Sequence, residues 1–177
     1  FTVSGTGTQT QDTPSNNFCT MNPLDNYYES STFNNGNTTV VTPSSGYSGV
    51  IGGMGAASGK WYFEFKPVSK AFDSDEYTVG ITGAPVTSTG QPHYILATGY
   101  MYLGVNGQSY NNDTGTAYGN TFTAGDIIGV AMDLDNNKLY FSKNGTWQNS
   151  GDPESGSTGT GAISITAHGS TPIGFYI

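Results

Sequence analysis

Few side chains in this sequence belong to the types that carry covalent or metal chemistry. The chain has one cysteine, Cys19, and two histidines, His93 and His168. A cysteine nucleophile needs an imidazole within hydrogen-bonding reach, but Cys19 stands close to Phe18 and Met21, where a free thiol commonly acts as a small buried hydrophobe. Neither histidine has a partner at the spacing that zinc sites use. The sequence therefore predicts no catalytic residue, no metal site and no cofactor.

One run of oxygen-bearing side chains resembles the start of a calcium-binding loop. Asp133, Asp135 and Asn137 alternate as the first three ligands of such a loop do. The pattern then departs, because the sixth position is Lys138 where the loop needs glycine, and the twelfth is Asn144 where it needs glutamate. We therefore predict a polar hairpin turn at this place.

A pair of carboxylates is the other arrangement that could do chemistry, since glycoside hydrolysis uses two acids roughly 5–9 Å apart. Glu64 and Asp133 stand on two predicted strands. No Glu-x-Asp-x-x-Glu motif accompanies them, so we predict a solvated strand face and a protein that is not an enzyme. A carbohydrate-active enzyme or a lectin remains an alternative function, which ranks after the two non-enzymatic functions described below.

Aromatic side chains in polar segments are the best candidates for binding. Rings among Asn, Gly and Ser suit adaptable protein recognition or stacking on a saccharide. The alternative for Tyr118 and Trp147 is that they close the ends of the folded layers, because Tyr and Trp are usually largely buried. We predict that a ligand or partner is bound by loop residues, namely His93, Tyr94, Tyr110, Asn112, Tyr118 and Trp147.

The composition excludes several classes of partner. The 177 residues carry a formal charge of -8, with five lysines and no arginine. Nucleic-acid binding depends on clustered basic residues, as does attraction to an anionic membrane surface, so we predict neither. No apolar run approaches the roughly 20 residues that span a bilayer. Aromatic residues make up 13% of the chain, which is enough for a core and argues against disorder.

The elements that must position these side chains are predicted to be strands. From Lys60 to Lys66 the residues alternate, with Trp61, Phe63 and Phe65 on one face, which is the period of a half-buried strand. No window has a helical period, and Asn-Gly pairs mark hairpin turns. We predict an all-β sandwich or barrel with further strands at Glu76–Thr82, Tyr100–Val105 (Met101, Leu103 and Val105 on one side), Asp126–Leu134, Lys138–Lys143, Ala162–Ala167 and Ile173–Ile177.

The domain organisation is predicted from a change in composition. Residues 1–17 are rich in Thr, Ser, Gly and Gln, which is typical of an arm or linker. We expect residues 18–177 to form a single domain, in which Phe18, Met21 and Leu24 dock on the core. The chain begins with Phe1 and ends in an apolar stretch, from which we expect a longer parent protein.

Several motifs resemble those of the SPRY domain family. Gly125 to Gly145, GDIIGVAMDLDNNKLYFSKNG, is similar to the core signature, and Gly59 to Phe65, GKWYFEF, is similar to its upstream partner. Val79-Gly80-Ile81 and Tyr118-Gly119 occur in the expected order, so the resemblance covers residues 60–177. It implies an antiparallel two-sheet β-sandwich of the concanavalin A-like, jelly-roll type. It also implies a binding module without catalysis, which recognises partners through loops at one end.

A shorter segment, DTPSNNFCTMNPLDN (Asp12–Asn26), resembles a lead-in found before such domains in phage structural proteins. We therefore predict a non-enzymatic module of a virion, in a tail fibre, appendage or capsid decoration, with a virion or extracellular location. Its partners would be other virion subunits or a host surface protein or glycan, and a homo-oligomer, trimeric in a fibre, is expected. The alternative is a purely structural coat domain without an external ligand.

Overall fold

The computed structural model describes residues 18–28, 31–43, 48–69, 77–83, 97–166 and 173–176, and this part of the chain is built from strands. Two short 3-10 turns, Gln148–Ser150 and Gly156–Thr158, are its only helical elements. The strands are β1 Met21–Tyr28, β2 Thr32–Asn34, β3 Thr39–Val41, β4 Ser48–Ala56, β5 Lys60–Phe65, β6 Thr78–Thr82, β7 Gly99–Leu103, β8 Gln108–Asn111, β9 Thr114–Ala117, β10 Ile128–Asp133, β11 Lys138–Lys143, β12 Thr146–Trp147, β13 Ile163–Ser164 and β14 Ile173–Tyr176.

The strands form two principal antiparallel sheets. A seven-stranded sheet has the order β1-β4-β14-β6-β7-β8-β9, and a five-stranded sheet has the order β12-β11-β10-β5, with β13 also paired to β11. β2 and β3 form a separate hairpin. The predicted all-β, antiparallel two-sheet sandwich is confirmed. In the seven-stranded sheet, β14 lies between β4 and β6, so residues from both ends of the described chain share one layer.

The hydrophobic core lies between the two sheets and is filled by alternate residues of the facing strands. Its aromatic centre joins the layers: the rings of Tyr102 and Phe141 stack with centroids 5.2 Å apart, and Tyr118 meets both edge-on. Each fully buried side chain of this size contributes about 1.5–3 kcal/mol. The buried set includes Phe63, Val79, Ile81, Tyr100, Tyr102, Tyr118, Phe122, Ile128, Val130, Met132, Leu139 and Phe141.

Close packing of β6 on β7 depends on a glycine. A Cβ atom on Gly80 would lie 2.0 Å from the backbone oxygen of Tyr100 and 2.9 Å from the Cα of Met101. Backbone atoms cannot swing away as a flexible side chain can, so only glycine fits between these strands. The packing of β6 on β7 thus explains why glycine stands at the centre of the Val-Gly-Ile motif.

Two predictions about which side chains are buried are wrong, and on β7 the predicted alternation did not indicate which face is buried. On β7 it is Tyr100 and Tyr102 that enter the core, whereas Val105 is 46% exposed beyond the end of the strand. Met101 is buried on the opposite face, against Ile51. Both faces of β7 therefore carry buried apolar or aromatic side chains. For this reason the alternation in the sequence did not show which face of the strand is directed at the core.

The two wrong predictions concern Trp61 and the N-terminal segment. Trp61 was assigned to the buried face of β5 with Phe63 and Phe65, but it is 44% exposed. In the N-terminal segment Met21 is buried, whereas Phe18 and Leu24 are exposed. Trp61 lies at the start of β5, where the opposite layer does not cover every inward position. Leu24 lies on the edge strand β1, where its pairing with β4 is irregular between Met21 and Asn26.

Candidate functional site

A cleft opens between the two layers at the β9 side of the sandwich. One wall is the inner face of the β8–β9 hairpin and the other is formed by residues 149 and 162–164. Its volume is about 420 Å³, which lies within the range of ligand sites. We call it the inter-sheet cleft. It is lined by Tyr100, Ser109, Tyr110, Asn111, Asn112, Thr114, Thr116, Ala117, Tyr118, Asn149, Ala162, Ile163 and Ser164.

The register of the strands decides which hairpin side chains face the cleft. Ser109 pairs with Tyr102, whose ring lies in the core, and with Thr116 on β9. Residues directly opposite each other in an antiparallel pair point to the same face, so Ser109 and Thr116 are on the inner side. Asn111 and Thr114 follow two residues along and share that side. The inner face of the hairpin is therefore polar and uncharged.

Tyr118 is the buried floor of the cleft and fastens it to the five-stranded sheet. β12 pairs with residues 142 and 143 of β11, and β13 pairs with residues 138 and 139, which leaves a gap along that edge. The Phe141 N–H donates to the Tyr118 hydroxyl oxygen at 3.1 Å in this gap. Burial raises the pKa of Tyr118 to about 12, so its hydroxyl is neutral at pH 7.

Two neighbouring contacts hold the rest of the cleft in place. The Tyr100 hydroxyl accepts a hydrogen bond from the Thr166 N–H at 2.8 Å. Asn149 has a φ of 53° and donates from its side chain to the Gly161 oxygen at 3.3 Å. These two hydrogen bonds hold the second wall: one joins Asn149 to the chain just before residue 162, and the other joins the chain just after residue 164 to β7. Each bond has a backbone group as one of its partners, which fixes the position of the wall.

Tyr110 and Asn112 border the cleft, but not as members of a loop. Both were predicted to be loop residues, whereas they belong to the β8–β9 hairpin, which is closed by a two-residue turn at Asn112 and Asp113 with φ values of 49° and 57°. Positive φ at both positions is the type I′ turn, which matches strand twist and is adopted by Asn and Asp. The Tyr110 ring lies over Gly115 on the outer face, and its hydroxyl donates to Gln108 Oε1 at 2.9 Å.

Trp147 lies elsewhere, on the outer face of the five-stranded sheet. Its ring meets those of Tyr62 and Tyr140 edge-on, with both centroid distances 6.4 Å. We call these three residues the outer aromatic cluster. Trp147 is only half-buried, and it neither lines the inter-sheet cleft nor closes an end of the sandwich. The structure thus brings Tyr110, Asn112 and Tyr118 together and separates Trp147 from them. The other two candidates, His93 and Tyr94, lie outside the described residues.

The acidic candidates are held in structural contacts. Glu64 accepts a hydrogen bond from the Tyr62 hydroxyl at 2.8 Å. Asp133 is paired with Lys60 at 3.2 Å and accepts from the side chain of Asn136 at 2.9 Å. Glu64 pairs with position 129 and Lys60 with position 133 on β10, so the two acids are about 13 Å apart along the strands. That separation is too long for glycoside hydrolysis.

The calcium-like segment forms a hairpin turn between β10 and β11, as predicted. Asp133 accepts from the Asn136 N–H at 3.0 Å, and Asp135 accepts from the Gly59 N–H at 2.8 Å. Partial burial opposes ionisation of Asp133, but its bonds to Asn136 and Lys60 outweigh this and lower its pKa below 3.8. Among the described residues no group of three His, Cys, Asp or Glu side chains is placed to hold a metal ion.

Cys19 is half-buried against the core, and burial raises the pKa of its thiol to about 11. A thiolate is the reactive form, so this cysteine is a poor nucleophile at neutral pH. Its possible partner His168 is outside the described residues, as is His93. In the described segments no helix is long and apolar enough to cross a membrane.

Most of the cleft residues were not found from the sequence. Ser109, Thr116, Asn149 and Ser164 are small polar residues with no motif around them. The Asn-Asp turn at residues 112 and 113 would have indicated the hairpin and hence its alternating faces. No signal in the sequence indicates that residues 149 and 162–164 lie opposite this hairpin, because that proximity is set by β12 and β13 pairing with one edge of β11.

The chain is similar to a solved structure over most of its length and to curated proteins over about half of its length. The chain is similar to the crystal structure of the SPRY domain of human HERC1, with a TM-score of 0.66, 19% identity, and coverage of 88% of this chain and 87% of that one. Ran-binding protein 9 of Homo sapiens is 40% identical and that of Danio rerio 38% identical, each over 91 residues or 51% of this chain. The matched segment spans only 12% and 15% of those proteins' lengths.

These relatives overturn the predicted biological setting. The virion module, its virion-subunit or host-glycan partners and trimeric fibre, and the virion or extracellular location are wrong, because the curated relatives are Ran-binding proteins of animals. The phage interpretation depended on the short segment Asp12–Asn26, of which residues 12–17 lie outside the described residues.

The family model of the SPRY domain matches residues 60–152, which is just over half of the chain. This range contains the two segments that carried the resemblance, Gly59–Phe65 apart from its first residue and Gly125–Gly145, and it contains the β8–β9 hairpin and Tyr118. Its strands include four of the five strands of the five-stranded sheet, β5, β10, β11 and β12, and the hairpin that forms one wall of the inter-sheet cleft. The chain belongs to the SPRY domain family.

Proposed function

We propose that this chain is a non-enzymatic protein-interaction module that binds a polypeptide segment of a partner protein in the inter-sheet cleft. The observation that carries the proposal is the cleft itself, which is floored by Tyr118 and has one wall, the β8–β9 hairpin, within the family match. That residues 18–177 form one domain is part of the proposal, and it is supported by β1 and β14 lying in the same sheet.

We propose that the chain is not an enzyme because the side chains considered for catalysis are held in contacts with other residues or are buried. The carboxylates considered for hydrolysis, Glu64 and Asp133, are about 13 Å apart along the strands and are bonded to neighbouring side chains. The thiol of Cys19 is held neutral by burial. The names of the curated relatives state Ran binding for those proteins, but the match covers a small share of each. We therefore propose a partner class, a polypeptide segment, and not Ran.

Selection from a displayed library of random 12-residue peptides tests this function. We expect the wild-type protein to select peptides whose binding is lost in Thr116→Arg, because residue 116 is exposed on the cleft wall and a long charged side chain there fills the cleft. The matched control is Thr146→Arg, which makes the same change at an exposed position on β12 that does not line the cleft. Failure to select any peptide, or equal loss in both variants, would contradict the proposal.

A further inference from the structure

The last strand of the seven-stranded sheet leaves backbone groups open beside the cleft. β9 pairs with β8 on one side, and no other described strand pairs with it. The two-residue turn makes Asn111 and Thr114 the closing, hydrogen-bonded pair, and the alternation of an antiparallel ladder makes the pair of Ser109 and Thr116 the next one. The backbone N–H and C=O groups of the intervening positions on β9 therefore point away from β8.

Those outward groups belong to Gly115 and Ala117. All four residues of β9 are exposed, and no described residue bonds Gly115 or Ala117 on the outward side. Natural sheets usually protect such an edge with charges, proline or a bulge, whereas β9 has the sequence Thr-Gly-Thr-Ala. The edge thus offers two N–H donors and two C=O acceptors in the spacing that an extended peptide needs.

The edge and the inter-sheet cleft adjoin each other. Thr114 and Thr116 point into the cleft from the same strand whose edge is open. A peptide that added to β9 would place alternate side chains on that inner side, over the cleft and towards Asn149 and Ser164 on the far wall. Backbone pairing and side-chain selection would then be performed by one short segment.

The chemistry of the cleft defines the peptide. Its lining contains Ser, Thr, Asn, Tyr, Ala and Ile and no charged side chain among the described residues. A cation beside the far wall is Lys138, whose Nζ donates to Ser164 Oγ at 3.1 Å in an exposed position, so a charged side chain of the peptide would lose water in the cleft for at most a solvent-screened ion pair. A second copy of this chain is disfavoured as the occupant, because each copy carries a formal charge of -8 and like charge opposes association.

We infer that β9 is a β-augmentation edge, to which an extended peptide segment with uncharged polar side chains adds as a further strand over the inter-sheet cleft. This inference rests on the proposed protein-interaction function and specifies how the partner is held. Because no ion pair contributes, we expect the affinity to change by less than about twofold between 50 and 500 mM NaCl.

Ala117→Pro tests the edge, with Ala117→Val as the matched control. Proline removes the outward N–H without removing a bond to β8, and valine keeps the N–H while adding a similar volume. The probes are the 12-residue peptides selected by the wild-type protein, titrated against each variant. We expect affinity to fall about fivefold or more in Ala117→Pro, the loss of one backbone hydrogen bond, and to stay within about twofold in Ala117→Val.

A measurement on the wild-type protein removes any dependence on how the proline variant folds. Saturating peptide should slow amide hydrogen exchange at Gly115 and Ala117. Equal affinities of the two variants at residue 117, or unchanged exchange at both amides, would overturn the inference that the peptide adds to β9. If binding is still lost in Thr116→Arg, the proposed binding of a peptide in the inter-sheet cleft is supported independently of that inference. Recovery of no peptide would overturn both. If the free chain dimerises and Ala117→Pro abolishes the dimer, the edge binds a second copy of this chain, and the inference that a partner's peptide adds to β9 is overturned.

Discussion

Replacing Tyr118 with phenylalanine removes one oxygen atom and leaves the Phe141 N–H without its acceptor. That hydrogen bond is 3.1 Å long and buried, in the gap between β12 and β13. The ring itself would keep its edge-on contacts with Tyr102 and Phe141. A buried backbone donor left unpaired costs about 1–3 kcal/mol. We expect Tyr118→Phe to lower the free energy of unfolding by about 2 kcal/mol.

Chemical denaturation and calorimetry measure this loss. For a chain of this length, about 2 kcal/mol corresponds to a fall in Tm of about 4–8 °C. Tyr110→Phe is the control, because it removes the same atom from a hydroxyl whose bonds to Gln108 and Asn106 are near the surface. We expect that variant to stay within about 0.5 kcal/mol of wild type. Stability of Tyr118→Phe equal to that of the Tyr110 variant would refute the role of this bond.

Three more variants probe the fold and the separation of its surfaces. Gly80→Ala should destabilise by about 3 kcal/mol in denaturant titrations, because its Cβ would lie 2.0 Å from the Tyr100 oxygen; a loss below about 1 kcal/mol would show that β6 and β7 separate easily. The hydrogen bond from Asn136 and the ion pair with Lys60 hold the pKa of Asp133 below its ordinary value, so these contacts stabilise the protein above about pH 4 and their contribution is lost as the pH falls further. Asp133→Asn should therefore lower stability at pH 7 and flatten its fall below pH 4, and an unchanged pH profile would contradict this. Trp147→Ala should lower stability by about 1–2 kcal/mol through lost ring contacts while leaving the affinity for selected peptides unchanged; weakened peptide binding would place the outer aromatic cluster in the site.

The sequence was sufficient where one face of a strand is polar. β5 has Glu64 and Tyr62 on its outer face, so its alternation identified Phe63 as a core residue. On β7 both faces are covered, because Ile51 packs on the outer side against Met101. Neither face of β7 is then marked as polar, so the sequence does not distinguish the core face, with Tyr100 and Tyr102, from the face with Met101. The β8–β9 hairpin was missed because its residues have the polar composition of a loop and its type I′ turn, at Asn112 and Asp113, contains no glycine.

The candidate site was only partly predictable for a different reason. Tyr118 was identified as an aromatic residue in a polar segment, but the same reasoning selected Trp147, which belongs to the outer aromatic cluster. Which sheet face a residue occupies depends on pairing with strands far along the chain: Trp147 is placed by β11, and Ser164 by residue 138 of the same strand. Local composition contains no record of that pairing.

The central claim, that a polypeptide segment is bound in the inter-sheet cleft, is tested most directly by amide chemical-shift mapping. A selected peptide is titrated into isotopically labelled protein at saturating concentration. The largest shift changes are predicted at Ser109, Thr116, Tyr118 and Ser164. Changes confined to the outer aromatic cluster, with the cleft amides unmoved, would contradict it.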